Sequence, residues 1–394
     1  MTTQRFLVLS AFAILSAVLT SGCDTNRIPT GWPKTYGGSR DDNCSSVQQT
    51  WDSGYVLTGT TWSYGEGQDD VYLVRTNSAG EALWTQTFGG AGYDIGYSGR
   101  QTSDGGYILV GGTSSFGNRD QVYLVKVDAT GAEEWSQSLG SAEQNEYGTS
   151  VEPTTDGGYI VAGWTSEDSG GVLLIKTDAP GNTLWSQVKG SPASNEYGAA
   201  VKPTSDGGYV IVGTTYQYDP NGDVWLAKTG ADGNDAWEPK HFGGSSADLG
   251  NSVQQTTDGG YIIAGVTQSS GAGSGDMYLV KTDAAGNEVW SKTFGGPGND
   301  GGRSVQQTTD GGYVIAGFTY SSGTDSSNVH LVKTDGNGNQ MWYSTFGGSA
   351  KDDGASVQQT ADGGYIIGGG TQSYGAGGWD MYLVKTGPAG KSEQ

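Results

Sequence analysis

Large aliphatic residues are scarce in this chain: Leu, Ile, Val and Phe number 18, 12, 28 and 8 among 394 residues. Combined with a formal net charge of −22, that shortage is typical of chains that bury too little apolar surface to fold. The 12 Trp and 22 Tyr exclude this reading, because disordered chains are poor in aromatics as well. Cysteine is nearly absent. With Cys23 and Cys44 alone, no disulfide framework supports the fold. Histidine is nearly absent too, and His241 and His330 supply neither a His-rich metal site nor a Ser/His/Asp triad. Phosphate-cradling glycine motifs are missing; the many Gly-Gly pairs read as strand ends. Bases are outnumbered, 20 Lys and Arg against 42 Asp and Glu. That balance argues against nucleic acid and anionic membrane surfaces, and it permits cations, neutral glycans and basic proteins.

Long apolar runs are missing except at the N-terminus. Arg5 precedes an uncharged stretch from Phe6 to Leu19, followed by Thr20-Ser21-Gly22-Cys23. The stretch is too short for a comfortable membrane span and has the proportions of a secretory h-region. Its ending resembles a bacterial lipoprotein box, with Leu19 one place early and Thr20 in the usual leucine position. The resemblance implies that residues 1–22 are a signal peptide and that Cys23 is acylated as the first mature residue. Residues 23–31 are then a tether, and the chain is an extracytoplasmic lipoprotein that meets the bilayer through its acyl chains alone. Loss of Arg5 leaves 19 bases against the same 42 acids.

Internal repetition dominates the rest. Asp-Gly-Gly-Tyr begins at Asp104, Asp156, Asp206, Asp258, Asp310 and Asp362, with Asp-Ser-Gly-Tyr at Asp52. Trp32, Trp84, Trp135, Trp185, Trp237, Trp290 and Trp342 recur with the same spacing. So does a base inside an apolar run: Arg75, Lys126, Lys176, Lys228, Lys281, Lys333 and Lys385. Within one unit, four short runs alternate with turns. They are Ser252 to Thr256 (strand A), Tyr261 to Thr267 (B), Met277 to Thr282 (C) and Val289 to Phe294 (D). Asp-Gly between A and B supplies the positive φ of a tight hairpin. Seven antiparallel four-stranded units of this length predict an all-β, seven-bladed β-propeller over residues 32–388, with a short tail at 389–394. The last unit stops after strand C, at Thr386, whereas Trp32 to Gly38 matches a D strand ahead of the first A strand. The N-terminal strand is therefore expected to complete the last blade and close the ring. Pro153 and Pro203 fall in A strands, which suits A as the inner edge strand.

The run Asp283 to Trp290 (Asp-x-x-Gly-Asn-x-x-Trp) resembles the tryptophan-docking repeat of quinoprotein-type propellers. The pattern as a whole is similar to secreted bacterial and archaeal propellers with Asp-Gly-Gly-Tyr repeats. These resemblances imply the fold. The quinoprotein enzymes use eight blades, calcium and a vicinal disulfide, whereas this chain has seven units and no adjacent cysteines.

In propellers the D–A and B–C loops share one face around the channel mouth. An acid lies four residues before the Ser or Ala expected to open strand A in every unit: Asp42, Asp94, Glu146, Glu196, Asp248, Asp300 and Asp352. Such a ring either binds a cation or polar ligand, or each acid caps its own turn or pairs with the repeated strand-C base. The B–C loops are irregular and carry aromatics among Asp, Asn, Gln and Ser, a mixture suited to sugar rings or to a protein partner. Trp62, Tyr64, Tyr374 and Trp379, flanked by Asp70 and Asp380, are expected to form one patch where the first and last blades meet. Asp219, Asn221 and Asp223 have the alternating oxygens of a calcium loop without its distal acid. No catalytic constellation stands out. The expectation is a binding or scaffold propeller for a glycan or protein. A polysaccharide hydrolase or lyase using two carboxylates of this face, and a purely structural assembly protein, are the alternatives.

Overall fold

The computed structural model describes residues 31–392, apart from 142, 167–169, 191–195 and 324. The expected signal peptide, Cys23 and nearly all of the tether lie outside the described residues. The strands form seven sheets of four, each an antiparallel meander ordered A–B–C–D. The last sheet takes its D strand from the other end of the chain. Lys34–Tyr36 pairs with Asp380–Thr386 in the register Lys34↔Leu383, Thr35↔Tyr382 and Tyr36↔Met381. The ring is closed as the missing strand implied.

One blade shows how the repeat makes its layers. Strands B (Tyr261–Thr267) and C (Asp276–Thr282) are buried along nearly their whole length, whereas D (Glu288–Phe294) faces outward. The middle of each sheet is covered on both faces by neighbouring blades, which is how so few aliphatics suffice. The aromatic markers turn out to be each other's partners. Trp290 of one blade meets Tyr313 of the next at 5.9 Å between ring centroids, Trp84 meets Tyr107 at 5.9 Å, and Trp32 meets Tyr55 across the closure at 6.1 Å. The third marker pairs within its own blade. Lys281 Nζ lies 2.9 Å from the Asp258 carboxylate, and all seven blades repeat this base–acid pair under the A–B turn.

Strand A differs from the expectation. It begins at the repeated acid, as Asp248–Gln255 does, rather than at Ser252. Asp248 pairs with Thr267 and Gly250 with Gly265, and a β-bulge between Gly250 and Ser252 absorbs one extra residue. The bulge breaks the two-residue alternation, so the first half of the strand reads as loop in the sequence.

Strand A lines the central channel and latches the blades together. The first Gln of the Gln-Gln pair ending strand A accepts a backbone N–H from the next blade. Gln48 takes that of Gln101 at 2.8 Å, Gln254 that of Gln307 at 2.7 Å and Gln358 that of Gln49 at 2.6 Å. The second Gln reaches back to the preceding A–B turn, as Gln307 does to the Thr257 N–H at 2.9 Å. Blades 3 and 4 place Pro153 and Pro203 at that second position, so the N–H that the latch requires is missing. Charged residues take over there. Glu152 accepts from Arg100 Nε at 2.8 Å and from Lys202 Nζ, an ion network joining blades 2, 3 and 4 where the glutamine latch is broken.

Candidate ligand face

The D–A and B–C loops interlock on one face, as expected. Arg40 N–H donates to Ser63 Oγ at 3.0 Å, Gly92 N–H to Ser115 Oγ at 2.9 Å and Ala350 N–H to Ser373 Oγ at 3.1 Å. Beneath them lies the carboxylate ring. Asp352 accepts from Gly348 N–H at 2.8 Å, Ser373 Oγ at 2.6 Å and Thr371 Oγ1. Asp42, Asp94, Asp248 and Asp300 hold their loops in the same way through a backbone N–H and a serine hydroxyl. Glu146 accepts from Ser141 N–H at 2.6 Å, and Glu196 from Thr215 Oγ1 at 3.1 Å. All seven are buried. Six of them cap a D–A loop by accepting its backbone N–H, Glu196 is held by Thr215 of strand B, and the strand-C bases are engaged on the opposite face.

A second layer of acids opens strand C. Asp380, Asp223 and Asp276 hold the same place as Asp70, and each faces the ring acid of the next blade across a D–A glycine. An added Cβ on Gly89 would lie 2.2 Å from Asp70 Oδ1 and 2.6 Å from Asp94 Oδ2. Burial, and then the Asp94 carboxylate, push the Asp70 carboxyl up to about 7. Asp380 and Asp223 are raised too, by burial first. This is a close acid pair with one elevated member, which acid–base chemistry would need. Yet Asp70 is 2% and Asp94 0% exposed, sealed below the loops away from any substrate. Asp380 does structural work, accepting from Ala376 N–H at 3.0 Å and Gly377 N–H at 3.3 Å.

The raised Asp70 carboxyl has a consequence for stability. Its folded value lies above the ordinary 3.8, so the folded protein is the better proton binder between about 4 and 7. The stability contribution is greatest at the acid end and is lost as pH rises through that window. Blade 6 already carries Asn328 at the equivalent position, its Nδ2 donating to Ser322 Oγ at 2.7 Å. Asp70→Asn is therefore expected to melt higher than the unmodified protein at pH 8, with the advantage shrinking toward pH 5. Thermal melts across that range check it, and parallel curves for the two proteins would contradict it.

The expected aromatic patch is distributed. Trp62 N–H donates to Asp41 O at 2.9 Å and Trp379 N–H to Asp41 Oδ1 at 2.9 Å, so these two residues flank one segment at the closure. Tyr64 leans on Tyr72 of its own blade, with 5.7 Å between centroids, and donates to Gly37 O at 2.8 Å. Tyr374 stacks on Tyr382 at 5.9 Å and donates to Gly347 O at 3.0 Å, one blade away. All but Trp379 are roughly half exposed. At the calcium-like loop, Asp219 Oδ1 accepts from Asn221 N–H at 2.7 Å, Asn221 Nδ2 donates to Ser245 O at 3.3 Å, and Asp223 faces Asp248. Among the described residues no group of three or more His, Cys, Asp or Glu is placed to hold a metal ion.

Sequence reasoning missed Trp164. In the structure it stacks on Tyr147, with 4.6 Å between centroids and 21° between planes, and meets Tyr197 at 5.8 Å. The available signal was that the equivalent position in the other blades is never Trp: Thr60, Gly112, Thr214, Val266, Phe318 and Gly370.

Comparison with known proteins places this geometry. The lectin BP39L from Burkholderia pseudomallei shares the fold with a TM-score of 0.57 at 10% identity, covering 90% of this chain and 98% of that one. The WD40 domain of Pan2 from Neurospora crassa does so with 0.54 at 9% identity, covering 87% and 89%. The regulatory protein FlaEY of Caulobacter vibrioides is 24% identical over 156 residues, and the matched region spans only 16% of that protein's length. Residues 68–238 and 124–370 both match the family model described as outer membrane protein assembly factor BamB. Those stretches together run through all seven blades, and the chain belongs to that family.

Proposed function

We propose that this protein is a lipid-anchored, extracytoplasmic propeller that binds or scaffolds a glycan or protein partner on the D–A/B–C face. One contrast carries the reading. The opposite face repeats the same pair of a buried base and an exposed acid in seven blades, whereas the loops of this face differ in length and aromatic content. Repeated turns build a fold, and unequal loops on a rigid scaffold are where recognition resides. The family description, an assembly factor for outer membrane proteins, supports both the location and the scaffold role. Trp62, Tyr64, Tyr374 and Trp379 are the first contacts to test, and Asp70 and Asp380, buried beneath them, would act by holding their loops.

Two measurements test the proposal. Cys23→Ser should move the protein from the membrane to the soluble fraction with its circular dichroism spectrum intact; retention in the membrane would remove the anchor. Changing Trp62, Tyr64, Tyr374 and Trp379 together to Ala should weaken capture of the partner found on a glycan array or in a crosslinking screen. Capture lost instead through changes in the A–B turns would place recognition on the other face.

A further inference from the structure

Beside the buried caps, each blade pairs one residue of strand A with one of strand B at the channel mouth. Blades 1, 2 and 7 place Asn43/Thr60, Ile95/Gly112 and Asp353/Gly370 there. Blades 3 and 4 place Tyr147/Trp164 and Tyr197/Thr214. The rings run on from one blade to the next. Tyr147 lies over Gly112 of blade 2, where an added Cβ would come within 2.3 Å of its ring. Trp164 stacks on Tyr147, Tyr197 meets Trp164 edge-on, and Tyr216 meets Tyr197 at 6.1 Å and 87°. None of these four rings belongs to the clusters that glue blade to blade. Tyr197 is 43% and Tyr216 36% exposed. The tyrosine of the Asp-Gly-Gly-Tyr turn is buried in every blade, whereas Tyr197 and Tyr216 are exposed and Tyr147 and Trp164 part-exposed; blade 6 has a shorter version, Phe318 against Tyr320, and the run of four rings lies across blades 3 and 4.

The surroundings select the ligand. Besides the seven ring acids and the strand-C acids beneath the loops, Asp120 accepts from the Tyr147 hydroxyl, and Asp219 stands beside Tyr218 in the loop that carries Tyr216. The bases of the whole face are Arg40, Arg119, Arg303 and Lys351, far fewer than the acids. An acidic field repels anionic chains, leaves neutral ones unaffected and draws in cations. Electron-rich ring faces add a second attraction for guanidinium and ammonium groups. We propose that the tract Tyr147–Trp164–Tyr197–Tyr216 docks an extended, Arg- or Lys-bearing segment of a basic partner protein. This inference rests on the reading that recognition occurs on the D–A/B–C face, and it narrows both the place and the chemistry.

The purified protein titrated with a short fluorescein-labelled peptide of alternating Arg and Gly tests it by fluorescence anisotropy. Binding should weaken steeply with added salt. Trp164→Ala and Tyr216→Ala should each weaken it about tenfold, the loss of one cation–π contact; Tyr216 sits in a loop, so its removal leaves the blades intact. Salt-independent binding, or binding unchanged in both variants, overturns the proposal, as does failure of the peptide to bind. If cello-oligosaccharides bind and Trp164→Ala removes them while the peptide does not bind, the tract is a saccharide platform and only the face assignment stands. Peptide binding lost in the Trp62/Tyr64/Tyr374/Trp379 quadruple variant and kept in the tract variants also sinks the tract and spares the face. Binding insensitive to both sets and lost by changes in the A–B turns defeats both readings.

Discussion

Deleting Trp32 to Tyr36 unfolds the entire ring in one transition. The segment is small, yet it supplies the fourth strand of blade 7 and, among the described residues, the one strand pairing between the two ends of the chain. Trp32 is 4% exposed and packs edge-on against Tyr55 of blade 1. Tyr36 donates its hydroxyl to Gly80 O at 2.6 Å, bridging into the C–D turn of that blade. Burial of one Trp removes on the order of 200 Å² from water, worth about 5 kcal/mol. Its loss also opens the edge of Asp380–Thr386, a strand buried at every position. A ring has no terminal blade to fray alone, because blade 7 also covers one face of blade 1 through the Val47, Leu57 and Leu383 cluster. The deletion variant should therefore lose its β-sheet circular dichroism signal, or melt far lower, as one cooperative step. An unchanged midpoint, or a melt that loses only a seventh of the signal, would contradict the closure.

The periodic parts of the molecule were legible because each marker answers to one local physical demand repeated seven times. Asp258, Trp290 and Lys281 stand for the turn, the interblade ring contact and the buried base that pairs with the turn acid, and the structure joins these markers to one another. The boundary of strand A was not legible, because the bulge at Gly250/Ser252 destroys the alternation that a strand shows in sequence. The channel was half legible. Pro153 and Pro203 marked an edge strand, but nothing local says that Arg100, Glu152 and Lys202 compensate for them, since those three residues are some 50 positions apart. The candidate site was the least legible part. The sequence placed Trp62, Tyr64, Tyr374 and Trp379 on the D–A/B–C face, but their grouping depended on loop paths that no spacing encodes. Trp164 was hidden inside a strand whose pattern looked like core.

Gly265→Ala is expected to cost more than Gly259→Ala in the conspicuous Asp-Gly-Gly-Tyr turn. Gly265 sits in the middle of strand B with nothing unusual in its backbone, so its reason is packing. The bulge in strand A tips the Leu249 carbonyl over strand B, and a Cβ on Gly265 would lie 1.8 Å from that oxygen. The same collision awaits at Gly59 with Asn43 O (1.8 Å), Gly163 with Tyr147 O (1.8 Å) and Gly317 with Gly301 O (1.8 Å). Backbone atoms on both sides must give way, in a strand pinned between two blades. Overpacking of this kind costs about 3 kcal/mol or more. Gly259 in the turn is the contrast. Its φ is +86° and nothing lies within 4 Å of an added Cβ, so Gly259→Ala suffers only the left-handed penalty of about 1–2 kcal/mol. Urea denaturation of both variants decides the order. If Gly259→Ala lowers the midpoint more than Gly265→Ala does, the bulge does not impose the strand-B glycine. The repeat would then be conserving its turn, and the channel-mouth row built on that bulge would be free to vary.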